Sequence, residues 1–160
     1  MHVYKVKLDL KHGSCWTYKT SNFKVKAEVK YLFPLITKNS IFEIAEIYSN
    51  DKNELSDFIS TINRRYGNNI KVANIDRPSS SKVALLYYFK NFDSSVTRVI
   101  IENNAVITNL SISNGIEEWY AYFFGEEEIL SNISHGLKRI DVKVENIDME
   151  KTKVNDIKMI

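Results

Sequence analysis

One short stretch occurs twice in this chain. Lys71-Val72-Ala73-Asn74-Ile75-Asp76 returns as Lys143-Val144-Glu145-Asn146-Ile147-Asp148, 72 residues later. Each copy follows a segment with helical spacing, and each of those segments follows an apolar run of strand length. The recurrence predicts a chain built twice from one unit, which limits the folds it can adopt.

In the first half, residues 3–11 alternate. Tyr4, Val6, Leu8 and Leu10 face one way, and Lys5, Lys7, Asp9 and Lys11 the other, as in a half-buried strand. Residues 12–22, with Gly13 and several Ser, Thr and Asn, break that pattern and read as a loop with room for one helical turn. Phe23, Val25, Ala27, Val29 and Tyr31 alternate as a second strand. Pro34 and residues 37–40 read as a turn, and residues 41–48, apolar on both parities, as an inner strand. Residues 51–66 carry the best helical pattern. Asp51 and Glu54 have capping-box spacing, Leu55, Phe58, Ile59 and Ile62 form one stripe, Arg64 and Arg65 suit the last turn, and Gly67 supplies a stop. After the first copy of the repeat, Arg77-Pro78-Ser79-Ser80-Ser81 is the expected boundary between units.

The second half replays this plan. Residues 83–90 read as a strand, Asp93-Ser94 as the cap of a short helix with Val96, Val99 and Ile100 buried, and residues 105–111 as a strand. Asn114-Gly115 signals a hairpin turn before the strand at 119–124. Glu126-Glu127-Glu128 opens a helix with Ile129, Ile133 and Leu137 on its stripe, and residues 140–147 close the unit. The order β-α-β-β-α-β is that of a ferredoxin-like unit. The expected fold class is therefore α+β, with tandem ferredoxin-like units over residues 1–77 and 82–148. In the first unit a loop replaces the first helix, and residues 149–160 form a tail.

A net charge of +2 creates no field that would by itself argue for nucleic acid. The single Cys precludes an internal disulfide and suits a reducing cytoplasm. No apolar run approaches a membrane span, so no membrane partner is expected. No Gly-rich phosphate loop or Ser/His/Asp set is present. Acyl-phosphate hydrolases of ferredoxin-like fold place an Arg after their first strand, but residues 11–20 contain none. Asp9, Glu28, Glu43 and Glu46 are expected to alternate with Lys on a solvated face. No catalytic residue, cofactor or enzymatic activity is expected.

Three features carry a family resemblance: the opening strand followed by His12-Gly13-Ser14-Cys15-Trp16-Thr17, the aromatic run Glu118-Trp119-Tyr120-Ala121-Tyr122-Phe123, and the Glu-started helix that runs into Ile140-Asp141-Val142-Lys143-Val144. With these the chain resembles the N-terminal region of archaeal helix-turn-helix regulators related to the bacterio-opsin activator. The resemblance implies a non-enzymatic regulatory domain of a transcription regulator that senses a small-molecule effector, forms a homodimer, or both. In that family a C-terminal helix-turn-helix binds DNA. Residues 149–160 are too few for two helices, so DNA contact is expected only through a helix-turn-helix outside this chain.

An alternative is a nucleic-acid-binding module that uses an aromatic sheet face, because residues 119–124 loosely resemble the stacking strand of an RNA-recognition module. Glu117 and Glu118, just before them, repel phosphate and favour simple packing. The candidate ligand-binding residues are His12, Cys15 and Trp16. They leave the first strand where the second unit has a helix, and such a replacement uncovers sheet. His12 and Cys15 are soft donors and Trp16 an apolar wall. Zinc normally takes four ligands and no second pair lies nearby in sequence, so no metal site is expected.

Overall fold

A computed structural model describes residues 1–13, 15–65 and 70–157 of the chain. Eight strands form one antiparallel sheet: β1 (His2–Lys11), β2 (Lys26–Leu35), β3 (Ser40–Tyr48), β4 (Ile70–Ser79), β5 (Lys82–Phe89), β6 (Ala105–Ser113), β7 (Ile116–Gly125) and β8 (Lys143–Thr152). The helices are α1 (Lys52–Arg65), α2 (Val96–Glu102) and α3 (Ile129–Arg139), and short 3-10 helices include Trp16–Asn22 after β1 and Phe92–Ser94 after β5.

The strand order β4-β5-β3-β2-β6-β7-β1-β8 overturns the expectation of two tandem ferredoxin-like units. β1 pairs with β7 and β8, both from the second half. β5 pairs with β3 and β4, both from the first half. Each half thus completes its part of the sheet with the other's leading strand. The order also reads the same from either end when β1 is exchanged with β5, β2 with β6, β3 with β7 and β4 with β8. The sequence repeat obeys this symmetry, since its two copies lie on β4 and β8, the two edges of the sheet. The halves meet along a short seam where Lys26–Val29 of β2 pair with Leu110–Ser113 of β6.

Period-2 alternation decides which face of the sheet is buried. Register carries one row of neighbouring residues across it: Val83, Ile47, Ala27, Ile112, Glu117 and Leu10, all buried. The opposite face carries partly exposed ion pairs such as Lys82–Glu46 at 3.3 Å and Lys30–Glu28 at 3.3 Å. The helices supply the apolar stripes that cover the buried face. α1 begins at Asp51, whose Oδ1 accepts the backbone N–H groups of Asn53 and Glu54, and it buries Leu55, Phe58, Ile59 and Ile62 as the spacing predicts. The Arg64 and Arg65 side chains and Gly67, read above as the end of this helix, lie outside the described residues. α3 buries Ile129, Ile133 and Leu137. α2 is capped by Ser95, one residue beyond the expected Asp93-Ser94, and buries Val96, Val99 and Ile100. Asn114 and Gly115 make the β6–β7 turn with φ of +53° and +77°.

Three local expectations are corrected. Residues 12–22 include a seven-residue 3-10 helix, Trp16–Asn22, where little more than a loop was expected. Pro34 lies within β2, and the turn that follows is the 3-10 helix Ile36–Lys38 closed by left-handed Asn39. Arg77, Pro78 and Ser79 continue β4 into a hairpin with β5 in place of a linker. Beyond the seam with β6, β2 and β3 extend as an arm on which Tyr31 and Phe33 stack at 6.0 Å and stay exposed.

Phe58 is fully buried against Trp16 and Phe23. Phe58→Ala is expected to destabilise the protein by about 3–5 kcal/mol, measured by denaturant or thermal unfolding. A melt indistinguishable from that of the parent chain would contradict this packing. Gly136 faces Val99, and a Cβ there would lie 2.9 Å from its Cγ1. Gly136→Ala is therefore expected to lower the melting temperature, even though Ala is the better helix former by about 1 kcal/mol.

Candidate functional site

A cavity of about 220 Å³ lies between the buried face of the sheet and the segments that cover it. Its roof comes from His12, Cys15–Thr17, Asn91 and Ser94–Thr97, in the segments that follow β1 and β5, the two exchanged strands. Its floor includes Glu43 of β3 and Glu117 of β7, which stand on symmetry-related strands. Apolar walls come from Trp16, Trp119, Phe89, Leu110 and Ile112, among others. The cavity thus draws on both halves of the chain.

The roof loop is held by short-range hydrogen bonds. The Cys15 N–H donates to the His12 carbonyl at 3.0 Å, so His12-x-x-Cys15 is a closed turn, and the Tyr18 N–H donates to the Cys15 carbonyl at 3.2 Å. Trp16 is buried and packs edge-on against Tyr87 at 5.7 Å and obliquely against Phe58 at 6.1 Å. It therefore belongs to the core and also lines the cavity. All three expected ligand residues, His12, Cys15 and Trp16, border the cavity.

Glu117 is only 4% exposed, yet both carboxylate oxygens have donors. Thr17 Oγ1 donates to Oε2 at 2.6 Å, and Trp119 Nε1 donates to Oε1 at 2.9 Å. The buried hydroxyl of Thr20 accepts the Gly115 N–H at 2.8 Å and ties the 3-10 helix to the β6–β7 turn. Glu43 is 6% exposed and accepts the Tyr87 hydroxyl at 2.6 Å. Burial pushes the Glu43 carboxyl up to about 7, with Glu117 adding repulsion and the Tyr87 hydrogen bond opposing the rise. Tyr87 is raised well above its ordinary value, first by burial and then by Glu43, and so stays a hydroxyl donor. Burial and the Glu117 charge also push the Cys15 thiol up, which leaves it a poor nucleophile.

The donors at this site are a nitrogen, a sulfur and a carboxylate oxygen. One ligand atom each of His12, Cys15 and Glu117 lies within 4.8 Å of the others. Glu43 and Glu117 correct the sequence reading, which assigned Glu43 to a solvated face and used Glu117 only as a phosphate repellent. The signal was available in the strand parity. Glu43 shares its parity with Ile41, Ala45 and Ile47, and Glu117 with Trp119, Ala121 and Phe123, which are all buried. Asp9, Glu28 and Glu46 do lie on the opposite, partly exposed face.

Among the described residues, no helix is long and apolar enough to cross a membrane. Compared with known family models, curated proteins and solved structures, the chain matches none.

The rise at Glu43 has a definite sign. A buried carboxyl whose folded value lies above its unfolded value favours folding while protonated, and that contribution is lost as pH rises through the folded value. Between about pH 5 and pH 8 the parent chain is expected to lose on the order of 3 kcal/mol relative to Glu43→Gln. Paired urea titrations across that range measure the difference. Parallel pH profiles for the two proteins would refute the assignment.

Proposed function

We propose that this chain is a non-enzymatic, effector-sensing domain of a cytoplasmic transcription regulator and that the effector enters the cavity under His12 and Cys15–Thr17. The observation that carries this reading is the pair of buried glutamates in the floor of a cavity with aromatic and aliphatic walls and a partly polar roof. Burying carboxylates costs free energy that the Tyr87, Thr17 and Trp119 hydrogen bonds offset in part, and a ligand that presents donors or positive charge to them offsets more of it. The cavity exceeds the roughly 150 Å³ that accommodates benzene and is smaller than the roughly 300 Å³ at which drug-sized pockets begin. A compact effector fits it, with Glu43 and Glu117 fixing the polar end and Trp16 and Trp119 enclosing the apolar part. The unreactive Cys15 thiol favours binding over nucleophilic catalysis.

The regulatory context comes from the family resemblance. DNA would be read by a helix-turn-helix outside this chain, and a homodimer would form through the edge strands β4 and β8. The aromatic strand behind the nucleic-acid alternative divides between the two faces of the sheet: Trp119 and Phe123 are buried and unavailable for base stacking, while Tyr120 lies on the partly exposed face beside Lys7.

The test is Trp fluorescence of metal-free protein titrated with compact cationic and hydrogen-bonding metabolites. Saturable quenching by at least one compound is expected, with Glu43→Gln weakening it at least about tenfold. A folded protein that gives no saturable response across such a panel, metal-free or with Zn²⁺ added, would refute the sensing role.

A further inference from the structure

We propose that His12, Cys15 and Glu117 bind one divalent transition-metal ion of the zinc class, with the fourth coordination position facing the cavity. This deepens the reading of the cavity as the ligand site, on which it rests, by naming the ion that would anchor an effector there.

The donor set comes first. Imidazole, thiolate and carboxylate together suit zinc and its neighbours, while a sulfur ligand argues against magnesium or calcium. Three protein ligands and one position open to solvent or ligand is the arrangement of zinc sites that exchange a ligand. Spacing comes second. Metal–ligand bonds of about 2.0–2.3 Å place tetrahedral donors about 3.3–3.8 Å apart. The three donor atoms here lie within 4.8 Å of one another, so no separation has to close by more than about 1–1.5 Å. Two of the donors sit on one short turn beside the cavity, where side-chain rotation can supply that movement.

Preorganisation of the third ligand is an independent observation. Metal-binding carboxylates are oriented by hydrogen bonds from a surrounding shell. Glu117 has such a bond on each oxygen, from Thr17 and Trp119, although it lies in a buried row that is otherwise apolar. Charge balance is the last argument. A thiolate, a carboxylate and a dication sum to zero, the state that costs least in a low-dielectric site.

The test uses the full chain, stripped with a chelator and titrated with Co²⁺ and then Zn²⁺. One equivalent of Co²⁺ is expected to produce a thiolate-to-cobalt charge-transfer band and the strong d–d bands of a tetrahedral site, and one equivalent of Zn²⁺ to abolish both. Cys15→Ser should remove the charge-transfer band with the far-ultraviolet dichroism unchanged. His12→Ala and Glu117→Gln should each weaken binding at least about tenfold, and Thr17→Val, which leaves all three ligands in place, should weaken it about tenfold. Absence of a saturable cobalt spectrum, or a charge-transfer band that survives in Cys15→Ser, would overturn the site. An organic ligand that quenches the metal-free protein while cobalt gives no spectrum overturns the metal site and leaves the effector reading standing. A cobalt site in a chain that gives no organic response, metal-free or zinc-loaded, does the reverse.

Discussion

The exchange of β1 and β5 between the halves is the constraint on which the rest of this structure depends. β1 lies between β7 and the edge strand β8, and β5 between β3 and the edge strand β4, so removing either would leave backbone donors and acceptors unpaired on an inner strand and detach an edge strand. Neither half can therefore close its sheet alone. The pairings that close it join residues far apart in sequence, such as Tyr4 with Phe123 and Leu8 with Ile147. Sheets built from such distant pairings fold slowly, because loop-closure entropy is lost before the contacts form.

The same exchange explains where the cavity lies. The segment that follows each exchanged strand starts in the other half's part of the sheet and returns toward its own, so both segments line one cavity with β3 and β7. The two floor glutamates then face an interior made by the whole chain. Their environments differ. Glu117 has a donor on each oxygen, whereas burial and the Glu117 charge push Glu43 toward its neutral form. A buried carboxyl held near neutrality in a cavity is a feature common at binding sites.

Local structure was legible in the sequence wherever one periodicity dominated. The stripes of α1 and α3, the Asp51 cap, the Asn114-Gly115 turn and the alternation of β1 all follow from spacing and turn chemistry. The strand order was not legible. A β-α-β-β-α-β run specifies elements but not which copy's strand completes which half, and two similar halves offer each leading strand two equivalent places. Part of the site was visible, since His12, Cys15 and Trp16 stand out as a polar and aromatic break after β1. Glu117 was not, because Thr17, which donates to one of its oxygens, lies 100 residues away in sequence. Reading Glu43 and Glu117 by strand parity, rather than by charge, would have placed both on the buried face. Pro34 was misread as a turn because a proline suits the open edge of a strand as well as a corner.

That proline has a consequence for how the molecule behaves among its own copies. On the arm beyond the seam, β2 keeps β3 on one side and has no strand pairing on the other among the described residues. The exposed Tyr31 and Phe33 rings lie along the same stretch. An open backbone edge beside stacked aromatics is the surface on which identical chains add strand to strand without limit. Pro34 removes one N–H from that stretch and Lys30 places a charge at its base, so a continuous ladder of intermolecular hydrogen bonds is interrupted. Solubility of the whole fold thus depends in part on a single residue that supports neither its core nor its cavity.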